Sequence, residues 1–406
     1  MDKEIVNSLS LLNREFGEDR VEMAIEAVKN FSVEIPSWIF GPFGGGRFGE
    51  YMPPGAARTI SEKLDDAALV HRLTDATENV AMHILWDFSK DGSMGDYAMA
   101  EKVGQAALDR GIKIGSISPT YFLKGSQRGS LSAVENETRE KYIAQTVLGG
   151  CIAKELGGGL LTIWLPDGSL YPGQTDIRKA IASVEESLRT AFRDIDPEVT
   201  VLIEYKVFEP GTYSTTIPDW GTAYMLATEL GTNAGVLVDL GHHYHGTNIE
   251  QIVASLINTG MKCGFHFNTR YAADDDHAVE PNGEMARIFY ELVSGGVIAT
   301  NNPAKEWAYM IDQCSARENR IYAILHSVDS LQLSLAKAVL VDQLRLEALQ
   351  NRDEIILANR FLNNALIHAD VRPIVAAARL AKNLPADPIA AFIESGYQQK
   401  IESERR

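Results

Sequence analysis

The sequence predicts an α/β fold, a (β/α)8 TIM barrel with additional C-terminal helices, and three observations carry that prediction. Short runs rich in β-branched residues alternate with longer helical patterns, the signature of parallel βαβ units. Several of those runs, among them VLIEY, GVLVDL and CGFHF, are apolar almost without interruption, as strands covered on both faces must be. The chain has 406 residues, more than the roughly 250 of a bare barrel, so helices outside it are expected.

Taken in order, the expected strands are 33–38, 80–86, 112–116, 160–165, 199–205, 235–240, 263–268 and a weaker one at 296–300. Helical patterns at 138–156, 176–193, 218–230 and 248–259 separate them. Eight such strands favour closure over an open sheet, and no GxGxxG follows the first strand to recommend a dinucleotide fold. From Trp307 the pattern is helical almost to the end, clearest over 328–349 and 353–367. We divide the chain into a catalytic barrel, 1–330, and a helical C-terminal extension, 331–406, expected to contact other subunits. The stretch GPFGGGRFGEYMPPG, 41–55, leaves the first strand without the Lys-Ser/Thr ending of a phosphate loop. Its Phe43, Phe48 and Tyr51 among glycines suit a lid over something apolar.

Composition narrows the function. A net charge of -17 repels a phosphate backbone and argues against nucleic-acid binding. The start is an acidic amphipathic pattern without an apolar signal core, and no run of about 18 apolar residues occurs, so a cytoplasmic protein without membrane contact is expected. Cys151, Cys263 and Cys314 are odd in number and lack CxxC spacing, which fits neither a disulfide framework nor a zinc ribbon.

The chemistry gathers at strand ends. Glu204 ends VLIEYK, Asp239 and His242 lie in VLVDLGHH, His266 in GFHFN, and Asp274 to Asp276 follow. Asp312 lies in YMIDQC, beyond the expected eighth strand. A parallel barrel brings such ends to one mouth. Carboxylates collected there repel one another unless cations intervene, which points to metal. Imidazoles among carboxylates, with no thiolate, favour Mn²⁺, with Co²⁺, Mg²⁺ or Zn²⁺ as alternatives. Two divalent ions per subunit are expected. One uses Glu204, Asp239, His266 and Asp312; the other shares Glu204 and takes His242, Asp274 and Asp276. The five carboxylates balance two dications and Lys206. Each residue alone has an ordinary reading as a helix cap, core histidine or solvated loop; their joint placement on consecutive strand ends is the signal.

In these residues the chain resembles the bacterial L-rhamnose isomerases of the broad-specificity type, within the xylose-isomerase-like barrel superfamily. The segments that carry the resemblance are VEIPSW, KLDDAALVHR, MHILWD, DGSLYPGQTDIR, IEYKVFEP, VDLGHHYHGTNIEQIV and FHFNTRYAADDD, in order between about residues 30 and 330. The resemblance implies a metal-dependent aldose–ketose isomerase and a homotetramer, with the two ligand sets just given. It places Lys206 beside the reacting oxygens of a small-molecule sugar and Trp38, His83 and Trp164 around that sugar. It also brings Phe48 to a neighbouring subunit's pocket. Thr269 and Arg270 stand where some relatives have Asp-Ser-Lys. Lys206, Asp312 and His83 are the expected catalytic residues, with His83 assisting ring opening because an imidazole passes protons near neutral pH. The alternative is a sugar 3-epimerase on the same barrel; the dense second ligand set favours the isomerase.

Overall fold

The computed structural model describes residues 3–41, 52–89, 94–209, 213–271, 277–299, 307–313 and 318–405. Eight parallel strands run in sequence order around one sheet: β1 Ile35–Pro36, β2 Asn79–His83, β3 Lys113–Ser118, β4 Leu160–Ile163, β5 Thr200–Glu204, β6 Ala234–Asp239, β7 Lys262–Phe267 and β8 Ala308–Ile311. The sheet closes where Glu34 bridges Met310, with the Glu34 N–H donating to Tyr309 O at 2.9 Å and the Ile311 N–H to Glu34 O at 2.9 Å. The fold is thus the (β/α)8 barrel the sequence predicts.

Three strands differ most from expectation. The eighth strand is Ala308–Ile311, not 296–300. Gly296 has φ 68° and Ala299 φ 53°, left-handed values that an extended strand cannot contain. The first strand is short because Pro36 has no amide donor for a ladder, and the chain then turns into the 3-10 segment Ser37–Phe40. Likewise β2 ends at His83, where Ile84–Asp87 turns helical.

Alternation along the strands sorts the side chains. Val201, Ile203, Val236, Val238, Phe265 and Phe267 belong to the large core shared with the helices. Leu202, Leu237 and Met310 form a separate small cluster with Leu160 and Ala308, the packed interior of the barrel. Gly264 completes that layer by having no side chain: a Cβ there would lie 2.6 Å from Leu202 Cδ1 and 3.1 Å from Ala308 Cβ. The interior is filled, so ligands are confined to the mouth.

A small antiparallel sheet of Gly168–Ser169, Tyr213–Thr215 and Phe208–Glu209 sits beyond β4 and β5 and holds their loops together. The helix Arg320–Val339 packs against Glu18–Asn30 and Gly283–Ser294 and runs unbroken across residues 330 and 331. The helical extension therefore shares the barrel's core. It ends in a clasp: Arg405 donates to both Asp66 oxygens, at 2.6 and 2.9 Å, and to Gly55 O at 2.9 Å. Among the described residues no single helix is long and apolar enough to cross a membrane; the bent pair Arg320–Val339 and Gln343–Asn351 meets that test by length and composition, but the first of the two is buried in the core.

Candidate metal centre and substrate pocket

The barrel's interior layer dictates what stands above it. Two residues beyond Leu202, Leu237, Gly264 and Met310, on the same inward face, come Glu204, Asp239, His266 and Asp312. Register brings them level, with His266 opposite Asp239 on one side and Met310 on the other. One donor atom from each lies within 4.8 Å of all the others. His266 Nδ1 is central, 3.3 Å from Glu204 Oε1, 3.6 Å from Asp312 Oδ2 and 3.7 Å from Asp239 Oδ2. Donors bonded to one cation at about 2.1 Å sit roughly 3–3.4 Å apart, so this spacing needs little adjustment to hold one.

The remaining bonds aim these donors. Asp239 Oδ1 accepts from the Gly241 N–H at 2.8 Å and Asn268 Nδ2 at 3.0 Å, while Oδ2 faces the cluster, buried and without a hydrogen-bond partner among the described residues. An orphaned carboxylate oxygen in a buried position fits a cation ligand. Asp312 Oδ1 accepts from Trp38 Nε1 at 3.0 Å, which turns Oδ2 toward His266. Electrostatics agree. Burial, reinforced by Glu204, pushes the Asp239 carboxyl well above its usual range. Burial also raises Asp312, opposed by His266 and reinforced by Glu204. Burial disfavours the His266 imidazolium, yet the Glu204, Asp312 and Asp239 carboxylates outweigh it and raise the ring to about 10. The site thus demands positive charge, which a dication supplies while displacing the proton.

His242 stands beside this cluster, its Nδ1 3.0 Å from Tyr205 O and 3.2 Å from Glu204 Oε1. A carbonyl only accepts, so Nδ1 carries the hydrogen and Nε2 the lone pair, the arrangement of a ligating imidazole. Glu204 therefore lies within reach of both histidines. Asp274 and Asp276, the other expected ligands of a second ion, and Phe48 of the expected lid lie outside the described residues.

Lys206 is buried, its ammonium 2.8 Å from Glu209 Oε2 and 5.1 Å from the centroid of the Trp164 ring. This corrects the charge balance read from sequence, which assigned Lys206 wholly to the metal carboxylates and overlooked Glu209. From Lys206 an aromatic wall continues through Trp164 to Phe122, centroids 5.9 Å apart, then to His83 at 5.4 Å and Trp38 at a further 6.3 Å. Trp86 stacks on His83 at 4.0 Å. The wall joins Lys206 to Asp312, bordering the mouth on one side. Trp164 Nε1 is buried with no hydrogen-bond partner among the described residues, as a donor reserved for a ligand would be.

His83 Nδ1 lies 3.0 Å from Thr120 Oγ1, and burial lowers the ring to about 3, so it is neutral. His243, adjacent to His242, is structural: Nε2 meets the Tyr205 hydroxyl at 2.8 Å and Nδ1 donates to Leu240 O at 3.3 Å. Arg270 ties the loop after β6 to the helix after β7, donating to Tyr244 O at 2.6 Å, Thr247 O at 3.1 Å and Glu284 at 2.6 Å. Sequence reading missed Glu209, Asn268, Thr120, Trp86 and Phe122. For the last two the signal was present, since both follow strand ends as Trp164 does.

The pattern of xylose isomerase-like TIM barrels matches residues 77–313 of the chain. The chain is 35% identical over 389 residues, 94% of its own length and 89% of the relative's, to a "probable sugar isomerase" of Rhizobium meliloti. To the L-rhamnose isomerase of Listeria monocytogenes it is 22% identical over 341 residues, 79% of each chain. A solved L-ribulose 3-epimerase superposes with a TM-score of 0.51 at 11% identity, over 80% of this chain and 98% of that one, a likeness of fold.

Proposed function

The chain belongs to the xylose isomerase-like TIM barrel family, and from that premise we propose that it is a metal-dependent aldose–ketose isomerase interconverting L-rhamnose and L-rhamnulose, with activity on other aldoses. The observation that carries the reading is the convergence of Glu204, Asp239, His266 and Asp312, with His242 sharing Glu204 and Lys206 nearby. The L-rhamnose isomerase among its relatives supports the sugar. In this reading Glu204, Asp239, His266 and Asp312 hold one ion, and Glu204, His242, Asp274 and Asp276 a second, with Mn²⁺ the preferred metal.

Isomerisation moves a hydrogen between C1 and C2 while their oxygens exchange carbonyl and hydroxyl roles. When bound, the ions polarise the carbonyl and order the hydroxyls. Lys206, oriented by Glu209, donates to the oxygen on which negative charge develops. Asp312, oriented by the Trp38 N–H at 3.0 Å, takes and returns the hydroxyl proton. His83 is neutral and acts on the ring oxygen through hydrogen bonding during ring opening. Trp38 and Trp164 exclude water and cover the sugar's apolar face, and the Trp164 N–H meets a hydroxyl. We place the enzyme in the cytoplasm as a homotetramer, with Phe48 completing a neighbour's pocket.

The test is product analysis by ¹³C NMR after incubation with Mn²⁺ and, separately, L-rhamnose, L-mannose, L-lyxose, D-allose and D-ribose. Ketose from L-rhamnose at the highest kcat/KM supports the proposal. A C3 epimer formed from a ketose, with no aldose conversion, selects the 3-epimerase instead. Deuterium placed at C2 and retained at C1 marks a hydride shift; its loss to solvent marks an enediol.

A further inference from the structure

We infer that Asp87 is a positioning residue of the substrate pocket, its buried carboxylate tying the turn that carries Trp38 to the strand end that carries His83, with Lys63 as its counter-charge. The side chain of Asp87 is 0% exposed. Its Oδ2 accepts from the Ser37 hydroxyl at 2.6 Å and from the His83 N–H at 2.8 Å, and its Oδ1 accepts from Lys63 Nζ at 2.8 Å. The three donors come from three elements: the 3-10 segment Ser37–Phe40, the end of β2, and the helix Ile60–Thr74. Trp38 follows Ser37 directly and donates to Asp312 at 3.0 Å. One carboxylate therefore sets the relative placement of the indole that orients Asp312 and the imidazole that faces it across the wall. The residue types require one another. A carboxylate offers only acceptors, which suits three donors, whereas an asparagine would present an N–H₂ to one of them. This reading gives a role to Lys63 of KLDD and Asp87 of MHILWD, which neither metal binding nor sugar contact explains.

The inference rests on the proposed isomerase for its kinetic readout; a second readout does not. The test uses the full Mn²⁺-loaded chain with Asp87→Asn and Ser37→Ala. The latter keeps the Lys63–Asp87 ion pair and so keeps the fold even if the former does not. We expect kcat/KM at saturating Mn²⁺ to fall about tenfold in Ser37→Ala and roughly a hundredfold in Asp87→Asn, as small displacements of positioning groups do. Acrylamide quenching of tryptophan fluorescence should rise in both variants, and the rise should vanish in a Trp38→Phe background. Lower melting temperature with unchanged quenching would overturn the inference, whether or not turnover changed, because Trp38 would not have moved. Increased Trp38-dependent quenching in a protein whose wild type converts no aldose would leave the positioning role standing and remove the isomerase reading.

Discussion

Replacing Asn268 by alanine should weaken metal binding without touching a ligand. Asn268 is 1% exposed, and its Nδ2 donates at 3.0 Å to the same Asp239 oxygen that takes the Gly241 N–H at 2.8 Å. Those two bonds hold Asp239 so that its Oδ2 points at the cluster. A hydrogen bond to a charged group contributes about 1.5–3 kcal/mol. With tenfold in affinity worth about 1.4 kcal/mol, the loss should be on the order of 10- to 100-fold in Mn²⁺ Kd. The assay is titration of chelator-stripped protein with Mn²⁺, following the free ion by electron paramagnetic resonance. A melting curve of the stripped protein separates the cavity's effect on folding from the effect on the ion. Unchanged Kd would refute the reasoning, because the Gly241 amide alone would then orient Asp239.

Three further predictions concern other parts of the structure. Lys206→Met should lower kcat by about 10²–10³-fold, the cost of losing a donor to a developing oxyanion, while Mn²⁺ content measured by elemental analysis stays the same. Burial holds His83 at about 3 and His243 at about 4, both below the ordinary 6.5, so the unfolded chain takes up protons that the folded one does not. Folding stability from these groups is therefore complete above about pH 6.5 and declines as pH falls toward 3–4, and the urea midpoint of His243→Gln should drop less than that of wild type between pH 7 and 5. Gly264→Ala should destabilise by about 1–3 kcal/mol through overpacking, because its Cβ would meet Leu202 Cδ1 at 2.6 Å; an unchanged urea midpoint would show that the interior layer yields.

The sequence makes the first seven strands legible because a strand buried on both faces advertises itself, and it makes the first ligand set legible because ligands follow such strands at a fixed step. The same rule misplaced the eighth strand. GGVIAT reads as a β-branched run, yet Gly296 and Ala299 adopt left-handed φ there, while the true strand, AYMI, is only four residues long. Partners that depend on local turns or on packing were less visible. Glu209, three residues from Lys206, meets it because the chain turns into a two-residue strand of the small sheet. Lys63 and Asp87 sit in motifs that carry no metal-binding pattern, and their meeting depends on how the helix Ile60–Thr74 packs on the segment Ser37–Phe40. The aromatic wall likewise arises from five residues at the ends of four different strands, a pattern with no sequence period.

The central claim is that this mouth is a metal-dependent aldose–ketose isomerase centre organised on Glu204. It is tested most directly by measuring ketose formation from L-rhamnose by chelator-stripped protein as Mn²⁺ is restored, in wild type and in Glu204→Gln. The account predicts no turnover without metal, full recovery in the wild type on adding Mn²⁺, and none in the variant. Turnover that persists in stripped protein, or that Mn²⁺ restores equally in Glu204→Gln, would contradict it.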